Sequence, residues 1–406
     1  MKILNVIPYA PVPAVFGGAL RVYHLLRWMS AHHDVHVLSY GTTGDRDRMV
    51  AEFGLAPDAI TMVPDPFWLA DPWKRVGQLY ALLRNTSFTE IASRNKDMQR
   101  ALDGLFARHR FDLVQIAYPV MGYFTFRTEA IRVLDAANVE YDIHLRSAEA
   151  SHSLLRRLWS GYEARKLRPQ EIAICGEQDM IFLPSQRDKA LLDRDIPRVP
   201  KIVIPNGVDT HFFTPQEGPT ETDTLVFTGA INYFPNADAV TWFVTEVLPL
   251  IHKVRPTVRV SIVGNAPPES VRRLASSHVK VTGFVDDVRP SIQCSAVYIV
   301  PLRIGGGTRL KVLEALAMRK PIVTTSIGCE GIDVADGESV LIADTPQAFA
   351  DATLRLLMDR RKAEALADAG HRLVRSRYDW TSIGDTVGTA YELLMKRHLD
   401  PAGVPA

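Results

Sequence analysis

The order in which short apolar runs alternate with helical patterns limits this chain more than any single residue does. Ile3 to Ile7 is apolar, Ala19 to His32 carries Leu20, Tyr23, Leu26 and Arg27 at helical spacing, and Val35 to Tyr40 is apolar again. This is a β-α-β rhythm. Phe111 to Ala117, Ile131 to Leu134, Met180 to Leu183 and Lys201 to Ile204 read as further buried strands, with helical stretches around Glu90 to His109 and Glu149 to Ile174. Such a series predicts one doubly wound parallel sheet. The rhythm stops at Ile204-Pro205-Asn206-Gly207-Val208-Asp209 and in the Phe213 to Asp223 stretch, where prolines and glycine mark a linker. It then restarts, with strands expected at Thr224 to Thr228, Val258 to Val263, Val297 to Val300 and Pro321 to Thr325, and helices at Ala237 to Val254 and Leu310 to Met318. From Thr345 the pattern is almost wholly helical, and a helix from about Thr381 to Leu399 is long enough to cross back to the first domain. The expected division is therefore 1–205, 206–380 and a crossover helix over 381–406.

A chain of 406 residues has room for two such domains. Lys plus Arg number 47 against 46 Asp plus Glu, so a net charge of +1 supplies no general field for nucleic acid. Cys175, Cys294 and Cys329 are far apart and form no Cys-x-x-Cys pair, which argues against a disulfide framework and a structural zinc. The apolar run at Met1 to Ile7 stops at Pro8, short of the roughly 7 to 15 residues of a signal-peptide core, and no segment approaches about 18 uninterrupted apolar residues. These features predict a reduced, cytoplasmic chain without a membrane span. They leave the oligomeric state open.

The most informative segment is Pro301-Leu302-Arg303-Ile304-Gly305-Gly306-Gly307-Thr308-Arg309-Leu310-Lys311-Val312-Leu313-Glu314-Ala315. An apolar strand runs into three glycines and then a helix, at the strand end where open α/β sheets bind ligands. Glycines let backbone approach a ligand closely, and the free N–H groups of the helix start attract anions. Arg309 and Lys311 add cations where a helix start disfavours them, an inconsistency that a bound phosphate would resolve. Glu314, about one turn after Lys311, can share its face and accept hydrogen bonds from ribose hydroxyls. A solvated, flexible glycine loop is the plainer alternative. The segment is neither a P-loop nor a Gly-x-Gly-x-x-Gly dinucleotide fingerprint, which counts against ATPase and dehydrogenase readings.

Followed by Ala317-Met318-Arg319-Lys320-Pro321-Ile322-Val323-Thr324-Thr325, the segment resembles the donor-site block of the retaining glycosyltransferases of family 4 (group 1). Phe16-Gly17-Gly18-Ala19-Leu20-Arg21-Val22, the Ile204 to Asp209 hinge and Tyr378-Asp379-Trp380 match the same family in order and spacing. The resemblance implies the GT-B fold: two Rossmann-like doubly wound sheets facing an interdomain cleft. It implies a nucleotide-diphosphate sugar on the C-terminal domain, a saccharide or lipid-linked saccharide acceptor on the N-terminal domain, and transfer with retained anomeric configuration, as in surface polysaccharide synthesis. The donor site would comprise Gly17, Gly18, Gly229, Gly305, Gly306, Gly307, Thr308 and Leu310, with Arg309, Lys311 and Glu314 in the catalytic role. Glu314 matches the second Glu of the family's Glu-x7-Glu motif, expected on the ribose.

Three departures stand out against the family. The first Glu of that motif would fall on Gly306, the Arg and Lys frequent after the first strand of the C-terminal domain are absent from Phe227 to Asn236, and Ala137 stands where relatives often have His. Arg309 and Lys311 are expected to take over stabilisation of the diphosphate, whose charge grows as the glycosidic bond breaks; a well-placed donor there is worth about 2.7 to 4 kcal/mol. No metal or other cofactor is then expected. Arg21, Asp135, Asn138 and Glu140 are candidates for acceptor contacts, with strand-end caps or surface charge as the alternative. Arg21 repeats the cation-at-a-helix-start inconsistency of Arg309, whereas Asn236 fits an N-cap. The stretch Arg146 to Arg168 interleaves Arg156, Arg157, Arg165, Lys166 and Arg168 with Leu154, Leu155, Leu158, Trp159 and Tyr162. It reads either as peripheral contact with the inner face of the cell membrane or as a core-facing stripe with a solvated basic side, Glu149 and Glu163 diluting its charge. A sugar-nucleotide epimerase of the same fold and a non-catalytic nucleotide-sugar or glycan binder remain open as alternatives.

Overall fold

Strands in which Val, Ile and Leu occupy successive positions must be covered on both faces, and the structure provides that cover twice. The computed structural model describes residues 1–14, 16–65, 73–84, 86–150, 153–305 and 308–399, so Gly306 and Gly307 lie outside the described residues. The first sheet contains β1 (Lys2–Ile7), β2 (Asp34–Tyr40), β3 (Ile60–Val63), β4 (Leu113–Ala117), β5 (Ile131–Asp135), β6 (Met180–Leu183) and β7 (Lys201–Val203), all parallel, in the order 3-2-1-4-5-6-7. The second contains β8 (Thr224–Thr228), β9 (Arg259–Val263), β10 (Val279–Gly283), β11 (Val297–Val300), β12 (Ile322–Thr324) and β13 (Leu341–Ile342), also parallel, in the order 10-9-8-11-12-13. Each order reverses once, between β1 and β4 and between β8 and β11. A doubly wound sheet opens a crevice at that reversal.

The chain forms two compact units, Met1–Pro205 with the segment from Gly384 onward, and Asn206–Ile383. The Trp380–Leu399 helix starts in the second unit and packs on the first. Gly384 and Gly388 lie against the Trp28 indole. The buried Tyr391 donates its hydroxyl proton to the Gln115 side-chain carbonyl and stacks on Phe182. Within the second unit the two connecting segments run side by side: Val208 N donates to Tyr378 O over 2.8 Å, and the Asp379 carboxylate accepts from Thr210 Oγ1 at 2.6 Å and Thr381 N at 2.9 Å.

Several elements depart from the sequence pattern. The Glu90 to His109 stretch is two helices, Phe88–Ser93 and Lys96–Arg108, because Asn95 caps the second by accepting from Asp97 N at 2.8 Å. The Glu149 to Ile174 stretch is likewise two, Glu140–Ala150 and Leu154–Gly176. The short strands β3, β10 and β13 and the Trp73–Leu83 helix were not foreseen.

Candidate functional site

In the second unit the crevice is bounded by the ends of β8 and β11. The Tyr298 and Thr228 hydroxyls are 2.5 Å apart across it, deep in the core. Beyond β11 the chain passes Gly305 and enters the Leu310–Ala317 helix, whose first turn holds no acid and whose N-cap residue, Arg309, makes no side-chain capping bond. Its leading N–H groups thus present a positive end. Thr308 and Leu310 flank Arg309 at this entry. Lys311, one residue into the helix, reaches back over the Phe227 ring, 4.0 Å from its centroid, and donates to Asn236 Oδ1 at 2.7 Å. Asn236 in turn donates to Ala230 O at 2.8 Å. Gly229 lies beneath: its φ of +152° favours glycine, and a Cβ there would sit 2.7 Å from Lys311 Nζ and push the ammonium aside.

Desolvation dominates the titration of this group. It pushes Lys311 down to about 7, with Arg309 acting in the same direction and Glu314 opposing. It pushes Glu314 up to about 7, against the attraction of Lys311. The Glu314 carboxylate makes no side-chain hydrogen bond among the described residues. Arg309 is buried, with Glu330 3.8 Å away. The helix start therefore brings Arg309, Lys311, Glu314 and Gly305 together with Gly229.

Two readings are corrected here. Asn236 is not an N-cap: the cap of the Phe234–Trp242 helix is Tyr233, and the Asn236 side chain binds Lys311 instead. The positive charge of Arg309 is balanced in part by Glu330, a residue in an irregular turn after β12 that no periodicity could have linked to it. A cavity of about 380 Å³ that sequence reasoning missed lies beyond β9 and β10, lined by Pro267, Arg272, Val281 and the exposed Phe284 among others.

The crevice of the first unit is furnished differently. Tyr9, after β1, donates to the Tyr118 hydroxyl, after β4, at 2.9 Å. Burial pushes both phenols up. Tyr118 holds a left-handed backbone with φ +67°, a strained conformation for a bulky residue. Gly18 at the start of the Gly17–His32 helix is the complement of this pair, since a Cβ there would collide with the Tyr118 hydroxyl. Glu140 opens the Glu140–Ala150 helix, and burial raises its carboxyl. The N–H groups of Glu140 and Tyr141 are capped by Glu171, each at 3.0 Å. Burial pushes Glu171 up to about 8. Asn138 is half-buried in the turn before that helix.

The acceptor reading of Arg21 and Asp135 gives way to a structural one. With Gly17 as the first helical residue, Arg21 lies in the second turn rather than the first. Both side chains are buried: Arg21 Nη2 donates to Asp135 Oδ1 at 2.6 Å, Nε reaches both carboxylate oxygens, and Nη1 donates to Ile204 O at 2.8 Å. The pair fastens the helix to β5 and to the end of the first unit. Gly17 and Gly18 belong to this unit and not to the one carrying Lys311. Among the described residues no three His, Cys, Asp or Glu side chains are grouped as metal ligands, and no helix is long and apolar enough to cross a membrane.

Two family models match the chain, Glycosyltransferase Family 4 over residues 16–212 and Glycosyl transferases group 1 over residues 222–359. The chain belongs to this glycosyltransferase family. A GDP-mannose-dependent alpha-(1-6)-phosphatidylinositol monomannoside mannosyltransferase of Mycobacterium tuberculosis is 27% identical over 206 residues, 44% of this chain and 52% of that one. A D-inositol 3-phosphate glycosyltransferase of Nocardioides sp. is 30% identical over 213 residues, 44% and 46% of the two chains. An uncharacterized 44.6 kDa protein in the cps region of Klebsiella pneumoniae is 25% identical over 164 residues, 38% of this chain and 42% of that one. The chain thus spans about half the length of the curated relatives it matches. Solved structures share the fold over nearly the whole length. Anabaena Alr3699/HepE in complex with UDP superposes with a TM-score of 0.68 at 14% identity over 97% of this chain and 100% of that one. Sucrose-phosphate synthase from Thermosynechococcus elongatus gives 0.67 at 16% identity over 98% and 99%. The fold of this family member is GT-B, two Rossmann-like parallel-sheet units.

Proposed function

We propose that the chain transfers a sugar, with retention of anomeric configuration and without a metal ion, from a nucleotide-diphosphate sugar to a saccharide or lipid-linked saccharide. In this reading it acts at the cytoplasmic side of the membrane, in the assembly of a surface polysaccharide or glycoconjugate. The observation that carries the proposal is Lys311, half-buried at a helix start over Gly229 and bonded to a neutral amide, at the sheet reversal where such folds bind ligands. Names of relatives and neighbours support a nucleotide-sugar donor, since they mention GDP-mannose and UDP.

As the glycosidic bond breaks, negative charge grows on the leaving diphosphate. Lys311, Arg309 and the N–H groups of the helix start meet that charge, and protonated Lys311 does so most strongly. Two cations in that position take the role that a dication would otherwise have. Glu314 accepts from the ribose hydroxyls, and the cavity beside Phe284 receives the base, whose ring can stack on the exposed phenyl. In a same-face transfer the acceptor proton passes to the leaving phosphate, so no carboxylate pair is required. The acceptor is assigned to the first unit, near Tyr9, Tyr118, Asn138 and Glu140.

A melting-temperature panel of UDP, GDP, ADP, CMP and dTDP and their sugars, with and without magnesium, tests this reading. A ligand at 100 times its Kd adds about 2.7 kcal/mol. One diphosphate is expected to stabilise the chain without magnesium, and Lys311→Ala to abolish that shift. Stabilisation that survives in Lys311→Ala would sink the donor-site assignment. Incubation of the sugar nucleotide alone separates the alternatives: an epimerase changes the sugar without acceptor, whereas the transferase releases nucleotide only with one.

A further inference from the structure

Five leucines on two helices of the first unit, Leu79, Leu83, Leu154, Leu155 and Leu158, are between 61 and 86 % exposed. A core-facing stripe would have buried the last three, so that reading of the basic stretch is overturned. The two helices are fastened to each other. Lys166 Nζ caps the end of the Trp73–Leu83 helix, donating to Ala81 O at 2.6 Å and Arg84 O at 2.5 Å, and Tyr162 donates to Leu82 O at 3.1 Å. Leu158 and Leu155 lie one and two turns before Tyr162, while Leu82, whose carbonyl Tyr162 holds, adjoins Leu83. The leucines thus share one region of the surface.

Among the described residues of these two helices the exposed charges are all positive. The Trp73–Leu83 helix carries Lys74 and Arg75, both exposed, and no acid, and the exposed Arg84 follows it. On the Leu154–Gly176 helix Arg157 and Arg165 are exposed. The one carboxylate in its first four turns, Glu163, is turned inward, where it accepts from Phe88 N at 3.1 Å and Thr89 N at 2.9 Å. Glu163 therefore does not dilute the surface charge, whereas Glu149, near the end of the preceding helix, is exposed and remains a nearby negative charge, as the sequence pattern implies. Exposed leucines flanked by cations, with Glu163 withdrawn, match the interface of an anionic bilayer, where apolar side chains enter the acyl boundary and Lys or Arg meet the headgroups. A second copy would set cation against cation across the contact.

We infer that the first unit docks on an anionic lipid surface through the Trp73–Leu83 helix and the start of the Leu154–Gly176 helix. Docking of this kind would bring the chain to the lipid-linked acceptor proposed above and deepens that reading, but lipid binding is measured without turnover, so the two can fail separately.

The test is flotation of the full chain with vesicles of phosphatidylcholine alone or of phosphatidylcholine with phosphatidylglycerol. Binding is expected to the anionic vesicles, to weaken with salt, and to fall at least tenfold in Leu83→Glu/Leu155→Glu with the melting temperature unchanged. Lys74→Gln and Arg75→Gln should each weaken it about fivefold. No flotation, or equal flotation with neutral vesicles, would overturn the inference. So would a dimer of the wild type that the leucine variant converts to monomer, since a second copy would then cover the face.

Discussion

The two units are wound the same way and reverse at the same place, yet the reversals are furnished in opposite fashion. In the first, the ionic pair at the crevice, Arg21 with Asp135, is buried and satisfied within the fold, and what borders the opening is a pair of neutral phenols. In the second, Lys311 is bonded to a neutral amide and Glu314 to no donor among the described residues, with desolvation bringing both toward neutral pH. A buried ion pair whose members satisfy each other holds structure together. Charged groups kept apart from full compensation retain the capacity to answer a ligand. The same scaffold thus separates a structural use of charge from a receptive one.

The largest expected effect would break the comparison on its structural side. Arg21→Met leaves Asp135 buried and uncompensated, and should lower unfolding free energy by about 3 to 5 kcal/mol. Arg21→Met/Asp135→Leu should recover most of it in denaturant titrations, and a double variant as unstable as the single would show that the carbonyl contacts, not the ion pair, matter. On the receptive side Lys311→Ala and Glu314→Ala should each slow nucleotide release at least tenfold, the lysine by about 2.7 to 4 kcal/mol of barrier, at unchanged melting temperature. Near-normal rates in both would erase the distinction.

A smaller effect lies in pH. Free Lys311 titrates near 7, and a bound diphosphate favours its charged form and raises that value. Between the free and bound values binding takes up a proton, so affinity should weaken with rising pH above about 7, by at most about tenfold per unit for one proton. Calorimetry in buffers of different ionisation enthalpy reads the uptake directly, and zero uptake at pH 8 counts against Lys311 at the phosphates. The smallest effect is expected from Tyr9→Phe. Losing one hydrogen bond costs about 1 kcal/mol, and it should raise the acceptor KM a few-fold while nucleotide affinity stays constant.

The parallel sheets and the Gly305 to Glu314 block could be read along the chain, because apolar period and a strand-glycine-helix order are local signals. β10 was missed since Lys280 interrupts its apolar run, and β13 since two residues carry no period. The misread residues share a different cause. Arg21 meets Asp135 across 114 positions, and Lys311 meets Asn236 across 75. Asn236 after Pro235 looks like a cap for purely local reasons, and only the folded sheet shows which side chain it holds. Leu154, Leu155 and Leu158 are the same kind of case, since helical spacing marks a stripe but not which side of it is solvent.

The return of the Trp380–Leu399 helix has a consequence for the order of synthesis. Trp28 and Gln115 emerge early from the ribosome, but Gly384, Gly388 and Tyr391, which cover them, are made after the entire second unit. The unit begun first is therefore finished last, and a nascent chain must keep that apolar face from other contacts until translation is nearly complete.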